Sequence, residues 1–342
     1  MRASLLIVSL QLLAACAPEL RLGELPGSGP GVGGGESASG GGGAGGSGSD
    51  TGGGLSSAGG GGTAGASAGA GGESASGGGG AGGRDCARGP SCLADDGLIA
   101  RYFLDEAAAG VAPAQVEDAA EAPMPLALTY GPEMSFAADG AAHSGLSWTA
   151  AGADGRASAA IDGTKIQSAL QGAVAGTIEA VLRIAEVVEN GSRIVHIGTG
   201  SEAGRFTLRS ETPGQIVLWW NGDYCGGAWD AELPERAVVH GVFDSTVQEP
   251  AEDRVRLYIN GVPARRISAV GGYCGMHASV PPLGTTLDLP DGRHLVLGNR
   301  ELGERSFSGA LYYAALYAKA LTPAEIERNA AALLASDDRP GQ

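Results

Sequence analysis

Arg254-Val255-Arg256-Leu257-Tyr258-Ile259-Asn260-Gly261 is the stretch that decides how the rest of the chain is read. Val255, Leu257 and Ile259 alternate with Arg256 and Tyr258. One face is therefore apolar with a period of two, the pattern of a half-buried strand. Asn260-Gly261 follows at once. A two-residue hairpin turn needs positive φ at both central positions, which Asn and Gly accept, so the pair is a strong hairpin signal. Outward from it the same grammar repeats. Thr177–Ile184 alternates for most of its length, and Arg193–Gly198 follows a turn at Asn190-Gly191. Arg205–Arg209 and Gln215–Trp220 flank Pro213-Gly214, and Ala237–Asp244 is a further strand. Short strands with turns at this spacing predict an all-β antiparallel sandwich or jelly roll.

Helices are few. Thr322-Pro323-Ala324-Glu325 is a capping box with proline at the first helical position, and Ile326, Ala330 and Leu333 supply an apolar stripe. A second short helix is expected around Lys165–Leu170.

The first 16 residues have a different logic. One positive charge, a short apolar run and two small residues lead to Cys16, the layout of a secretory signal. The run is too short to remain as a spanning helix, which needs about 20 apolar residues. Leu13-Ala14-Ala15-Cys16 resembles the lipobox of bacterial lipoproteins. That resemblance implies cleavage before Cys16 and acylation of its thiol and new amino group, with several acyl chains giving a stable membrane anchor. Ala17, rather than aspartate, follows the cysteine, which favours the outer membrane or cell surface of a bacterium with two membranes.

From about Gly23 to Gly83 the chain is almost entirely Gly, Ser and Ala, and roughly half of its 61 glycines lie there. Glycine loses the most backbone entropy on ordering, and nothing here could be buried to offset it. The block beginning Gly34-Gly35-Glu36-Ser37 recurs at Gly71-Gly72-Glu73-Ser74, without the hydrophobic face a folded repeat needs. It reads as a disordered tether with a root-mean-square reach on the order of 45 Å. The expected organisation is a signal peptide at 1–15, lipidated Cys16 and tether at 16–84, a disulfide-stapled segment at 85–96, and one sandwich domain at 97–337.

The formal net charge is −16, and the cations other than Lys165 and Lys319 are arginines with no basic stripe. Nucleic acid is thereby excluded as a partner. Of five cysteines, four remain once Cys16 is set aside, an even number in an oxidising compartment. Cys86–Cys92 and Cys225–Cys274 are the expected disulfides. The alternative use of Cys225 and Cys274 is a zinc site with His277, for which no fourth ligand is evident.

The ordered set of strands resembles the laminin-G-like, concanavalin A-like jelly-roll domains. Gly97–Glu106 is similar to their first strand, Thr177-Ile178-Glu179-Ala180 to the strand opening their central part, and Val238–Asp244 to the strand ending in Phe/Tyr-Asp. Arg254–Gly261 resembles their Arg-Leu-Tyr-x-Asn-Gly hairpin. Leu297-Gly298-Asn299, Phe307–Leu311 and Leu321-Thr322-x-x-Glu325-Ile326 resemble their closing elements. The resemblance spans about 97–334 and implies a lectin-like sandwich with one short C-terminal helix. Many members carry Asp-Ser-Ser-Gly-Asn after the first strand, where this chain has Glu117-Asp118-Ala119-Ala120-Glu121. No compact cluster offers the six to eight oxygens calcium takes. No cofactor is expected, with calcium as the alternative.

Catalysis has little to stand on. Hydrolysis of a glycosidic bond needs two carboxylates across it, and in the strand-rich region only Asp230-Ala231-Glu232, with Glu235 beyond, fits. No Gly-x-Ser-x-Gly elbow occurs in the domain. Binding has more. Trp220, Asn221, Asp223, Tyr224 and Trp229 gather around Cys225, and Tyr273 would join them across the disulfide. Aromatic faces and Asn/Asp side chains are what sugar rings and hydroxyls require. Alternation puts one of Trp219 and Trp220 in the core. The expectation is a surface-anchored, non-catalytic lectin-like domain that binds glycan or an extracellular protein. A structural or adhesion module without a small ligand and a divergent polysaccharide hydrolase are the alternatives.

Overall fold

A computed structural model of the chain describes residues 90–107, 112–138, 143–222, 226–267 and 280–340. Cys16, Cys86, Asp223, Tyr224, Cys225, Tyr273, Cys274 and His277 lie outside them.

The chain enters through a 3₁₀ turn, Pro90–Cys92, whose Cys92 is disulfide-bonded. Six strands follow: β1 (Leu98–Tyr102), β2 (Gln115–Val116), β3 (Leu126–Thr129), β4 (Met134–Ala138), β5 (Ser144–Trp148) and β6 (Arg156–Ala160). Helix α1 (Lys165–Leu170) precedes β7 (Ala175–Glu186), β8 (Ser192–Gly198), β9 (Phe206–Thr212), β10 (Gln215–Trp220) and β11 (Gly227–Asp230). Then come β12 (Ala237–Asp244), β13 (Val255–Ile259), β14 (Val262–Pro263), β15 (Arg265–Arg266), β16 (His294–Leu297), β17 (Ser308–Tyr317) and helix α2 (Pro323–Ala335).

These strands build two antiparallel sheets. One has the order β14-β13-β12-β7-β17-β5-β4, with β1 pairing the far end of β17. The other has the order β15-β11-β10-β9-β8-β16-β6-β3-β2. Their inner faces share one core. Val255 and Leu257 enter it as their spacing required, beside Ile178, Ala180, Leu182, Phe206 and Leu208. At the hairpin, Asn260 and Gly261 take φ of 52° and 83°, and the Asn260 side chain also accepts the Val238 N–H at 2.8 Å. The capping box of α2 is complete, with Thr322 and Glu325 exchanging hydrogen bonds. The sandwich and both helices therefore stand where the sequence pattern set them.

Asp118, in the segment that replaces the family's Asp-Ser-Ser-Gly-Asn, is a structural anchor. It accepts the N–H groups of Arg101, Ala120 and Met124 and pairs with Lys165 at 2.5 Å.

The outer face of the β7-containing sheet is sealed by α2, and a buried carboxylate organises the seal. Glu179 Oε1 lies 2.7 Å from His240 Nε2 and accepts Asn329 Nδ2 of α2 at 2.9 Å. Its Oε2 accepts the phenols of Tyr313 and Tyr317, each at 3.0 Å. Arg101 extends the network, donating to Tyr313 at 3.1 Å and pairing with Asp95 at 2.8 Å. Burial alone would raise the Glu179 pKa. The hydrogen bond and charge of His240, the Asn329 amide and Arg101 outweigh it and hold the carboxyl below its usual range. Burial, then the Glu179 charge, pushes both tyrosines above the ordinary phenol range, so both remain donors.

Glu179→Ala takes the shared acceptor from four buried donors and should cost about 3–5 kcal/mol in chemical denaturation; a loss under about 1 kcal/mol would contradict the role given to the carboxylate. A lowered carboxyl pKa stabilises the fold above the unfolded-state value and ceases to do so as pH falls through the folded value. The stability gap between wild type and Glu179→Gln should therefore narrow as the pH drops below about 4.5, the ordinary value for a glutamate.

Candidate functional site

Alternation along a strand sends every second side chain out of the sandwich. On the nine-stranded sheet, register arranges the outward residues in rows. Trp219, Thr207, His196, Val296, Ser158 and Ala127 are successive cross-strand partners. Ala228, Val217, Arg209 and Arg193 form the adjacent row.

The two rows meet in a cationic floor. The Arg209 guanidinium lies 3.8 Å from the centroid of the Trp219 ring and that of Arg193 lies 4.9 Å from it. An arginine over an indole is attracted by the ring quadrupole, more strongly when desolvated. Arg209 is also ion-paired with Glu211 and donates to the Asn190 carbonyl. Burial brings its pKa down to about 10 against the pull of Glu211. Arg193 is placed differently. It is 6 % exposed, its Nε and Nη1 are buried without a hydrogen-bond partner, and no carboxylate among the described residues pairs with it. Burial first, then the charges of Arg209 and Arg305, hold it well below the ordinary guanidinium range.

His196 completes the floor as a neutral group. Its Nε2 is 3.2 Å from the Thr199 carbonyl, which can only accept, so Nε2 carries the proton and Nδ1 accepts from the Thr207 hydroxyl at 3.1 Å. Burial, then Arg193, pushes its pKa down to about 3. The loop between β8 and β9 closes over the ring. At Gly204, φ +117°, a Cβ would stand 2.0 Å from Thr207 Oγ1, so only glycine fits. This imidazole is a packed member of the sheet with no proton to exchange near neutral pH.

A half-exposed rim borders the floor. Glu202 accepts the Thr199 N–H at 3.0 Å and pairs with Arg293 at 2.7 Å and Arg205 at 3.3 Å. Arg205 reaches Asp288 at 3.1 Å. His294 Nδ1 stands 3.7 Å from Glu301 Oε1, and these side chains are 29 % and 33 % exposed. Glu301 also accepts the Gly200 N–H at 3.0 Å. Each of Glu202, Glu211 and Glu301 thus faces a cation or a backbone N–H. Such a face can recognise hydroxyls and anions through fixed donors and acceptors.

The residues expected from the sequence fare unevenly. Trp220 is 3 % exposed and Trp229 2 % exposed, both in the core between the sheets, and the Trp220 ring packs on Phe243 at 5.9 Å. A ligand platform is the wrong role for these two: alternation turned Trp220 inward and Trp219 outward. Asn221 is also committed internally. Its amide donates to Thr286 O and accepts Asp288 N–H, both at 2.8 Å, pinning the end of β10. Asp223, Tyr224 and Tyr273 lie outside the described residues, as does the cysteine pair beside them. Of the candidate acids, Asp230 pairs with Arg265, and Glu232 and Glu235 are exposed. Among the described residues no group of three or more His, Cys, Asp or Glu gathers as a metal site would require. Arg193 and Arg209 had no role in the sequence reading. The only signal for them is their place on the polar side of alternating strands, a side that ordinarily faces water.

The two-sheet antiparallel sandwich defines a lectin-like class of fold. The family model of the concanavalin A-like lectin/glucanases superfamily matches residues 155–327, and the chain belongs to this superfamily. No curated protein matches it. Among solved structures, it is similar to a Trypanosoma rangeli sialidase in complex with 2,3-difluorosialic acid, at 15 % identity and TM-score 0.46. The match covers 69 % of this chain and 33 % of the sialidase, so the chain spans about a third of that enzyme's length. It is similar to the binding domain of botulinum neurotoxin DC in complex with SialylT, at 11 % identity and TM-score 0.46, covering 69 % and 52 % of the two chains. Domain 4 of a GH43 extracellular arabinanase from Geobacillus stearothermophilus, in complex with arabinotriose, matches at 16 % identity and TM-score 0.42, covering 69 % and 100 %.

Trp220→Ala should empty a core site and cost about 3–5 kcal/mol. Thermal and urea unfolding will show it; a variant as stable as wild type would return Trp220 to the surface.

Proposed function

We propose that this chain is a non-catalytic glycan-binding domain, held outside the cytoplasm by lipid on Cys16, with its ligand face on the outer side of the nine-stranded sheet. The observation that carries the reading is the partly exposed rim of charged and imidazole groups, Glu202, Arg205, Arg293, His294 and Glu301, held over a buried floor of Arg193 and Arg209 on Trp219. Saccharide recognition rests on donors and acceptors held in place by a rigid scaffold, and a sheet supplies that rigidity. The other outer face is occupied by α2. The rim acids support binding over hydrolysis, because each is already engaged and none faces a second free carboxylate. Membership of a lectin and glucanase superfamily is compatible with either, since function resides in the site and not in the fold. Disulfides Cys86–Cys92 and Cys225–Cys274 belong to the same extracytoplasmic reading.

A glycan array probed with the mature chain should return saccharide ligands. His294→Ala with Glu301→Ala should weaken the best of them about tenfold, the worth of one charged hydrogen bond, while leaving the melting temperature within a few degrees. An array with no saccharide bound, or reducing sugar released from a polysaccharide, would overturn the binding proposal. The intact mass of the mature chain should begin at an acylated Cys16; an uncut leader or a free thiol there would remove the anchor.

A further inference from the structure

Buried carboxylate oxygens in a folded protein ordinarily have donors. Among the described residues two lack them, Asp105 Oδ1 and Glu106 Oε2, and they belong to neighbours in the chain. They stand just past β1, after Leu104, which is fully buried and takes φ of 56°, an uncommon conformation for a bulky residue. The segment that follows α2 lies against them. The Arg339 N–H donates to Asp105 Oδ2 at 2.6 Å, and Arg339 Nη2 stands 3.6 Å from Glu106 Oε1, beyond hydrogen-bond reach. Arg339 Nε and Nη2 have no acceptor either, so this cation leaves both acid oxygens open. Glu106 Oε1 accepts the Glu117 N–H at 2.7 Å. Asp338 accepts the N–H of Ser144, the first residue of β5, at 2.9 Å. Asp337 is the anchor of the strap. Fully buried, it pairs with Arg236 through Nε and Nη2, each at 3.1 Å, and with His143 at 2.9 Å.

Like charges face each other here. The Asp105 charge acts against both Glu106 and Asp338, and Glu106 acts in turn on Tyr130, whose phenol is committed to the Pro113 carbonyl at 2.8 Å. Arg339 acts for the charge of Glu106, and His143 and Arg236 for that of Asp338. Burial first, against these cations and the backbone N–H groups, raises the Glu106 and Asp338 carboxyls above their ordinary range. Burial raises Asp337 too, against Arg236 and His143. A raised carboxyl stabilises the closed strap at low pH, and that contribution is lost as the pH rises through the folded-state value. We propose that residues 337–339 form an acid-tightened clasp, in which Asp105, Glu106 and Asp338 share a proton on mild acidification and hold the strap to the ends of β1 and β5 more firmly than at neutral pH. The proton gives Asp105 Oδ1 or Glu106 Oε2 the donor it lacks and removes one of the charges that repel Asp338. Glu179, with four donors on its two oxygens, has no place for such a proton.

The test is hydrogen exchange at the Arg339 amide of the mature chain, followed in nitrogen–proton spectra at about pH 5 and about pH 8 and divided by the intrinsic exchange rate at each pH. Both conditions lie above the range in which Glu179, held below its usual value, takes up a proton. Protection should be about tenfold greater at the lower pH, the worth of one charged hydrogen bond. Glu106→Gln keeps a neutral donor beside Asp105 at every pH, so its protection should be high at both and the ratio close to one. The chain carries a net charge of −16, and a general relief of repulsion on acidification would act on the variant as it does on wild type. A wild-type ratio near one, or protection that rises with pH, overturns the clasp. A Glu106→Gln ratio equal to that of wild type overturns it as well. Should Glu106→Gln lose the dispersed spectrum of a folded domain, Asp338→Asn takes its place, with a ratio near one expected and the wild-type ratio contradicting the proposal.

Discussion

The carboxylate of Glu179 is the constraint on which the arrangement of the sandwich depends. A single buried charge gathers His240 from β12, Tyr313 and Tyr317 from β17 and Asn329 from α2, and through the tyrosines it reaches Arg101 of β1. Ala94, next to the entering turn, donates its N–H to the same Asn329 at 2.9 Å. Elements far apart in sequence therefore share one network. A carboxylate is worth burying only when its oxygens are satisfied, and satisfaction of Glu179 needs α2 to lie across the sheet. The apolar residues around it, among them Phe103, Val238, Ile326 and Leu333, are buried by the same closure.

That closure decides where function can sit. A sandwich has two outer faces, and α2 takes one. On the other, the alternation that buries Leu208 and Leu218 in the core turns Arg209 and Trp219 outward, and cross-strand register brings Arg193 beside them. The contrast between the two polar clusters is chemical. Around Glu179 each carboxylate oxygen has two donors. At Arg193 the Nε and Nη1 donors lack acceptors, while Arg209 beside it is paired with Glu211.

Much of the fold was legible along the chain because its signals are local. Asn260-Gly261 announces a hairpin by backbone conformation, Thr322 and Glu325 announce a helix start by reciprocal hydrogen bonds, and Val255, Leu257 and Ile259 announce a buried face by period. The site was less legible because its meaning depends on distant partners. Glu179 occupies a polar place in an alternating strand, which reads as solvated until α2 is laid over it. Trp219 and Trp220 are neighbours of equal character, and only the pairing of β10 with β9 says which one turns inward. Arg193 and Arg209 lie 16 residues apart in ordinary alternating strands, and their meeting on one indole is a property of register. Asn221 looked like a sugar ligand by type, and its amide proved to be spent on Thr286 and Asp288.

The four tryptophans offer the most direct test that the outer face of the nine-stranded sheet is the ligand face. Nitrogen–proton spectra of their indole N–H groups can be followed as the tightest saccharide from the array is added. Trp219, the ring beneath the two guanidiniums, should shift progressively to saturation. Trp148, whose indole donates to the Gly155 carbonyl at 2.8 Å, and the core residues Trp220 and Trp229 should hold their positions. Saturation that leaves Trp219 unmoved, or that moves Trp220 or Trp229 instead, would contradict the account.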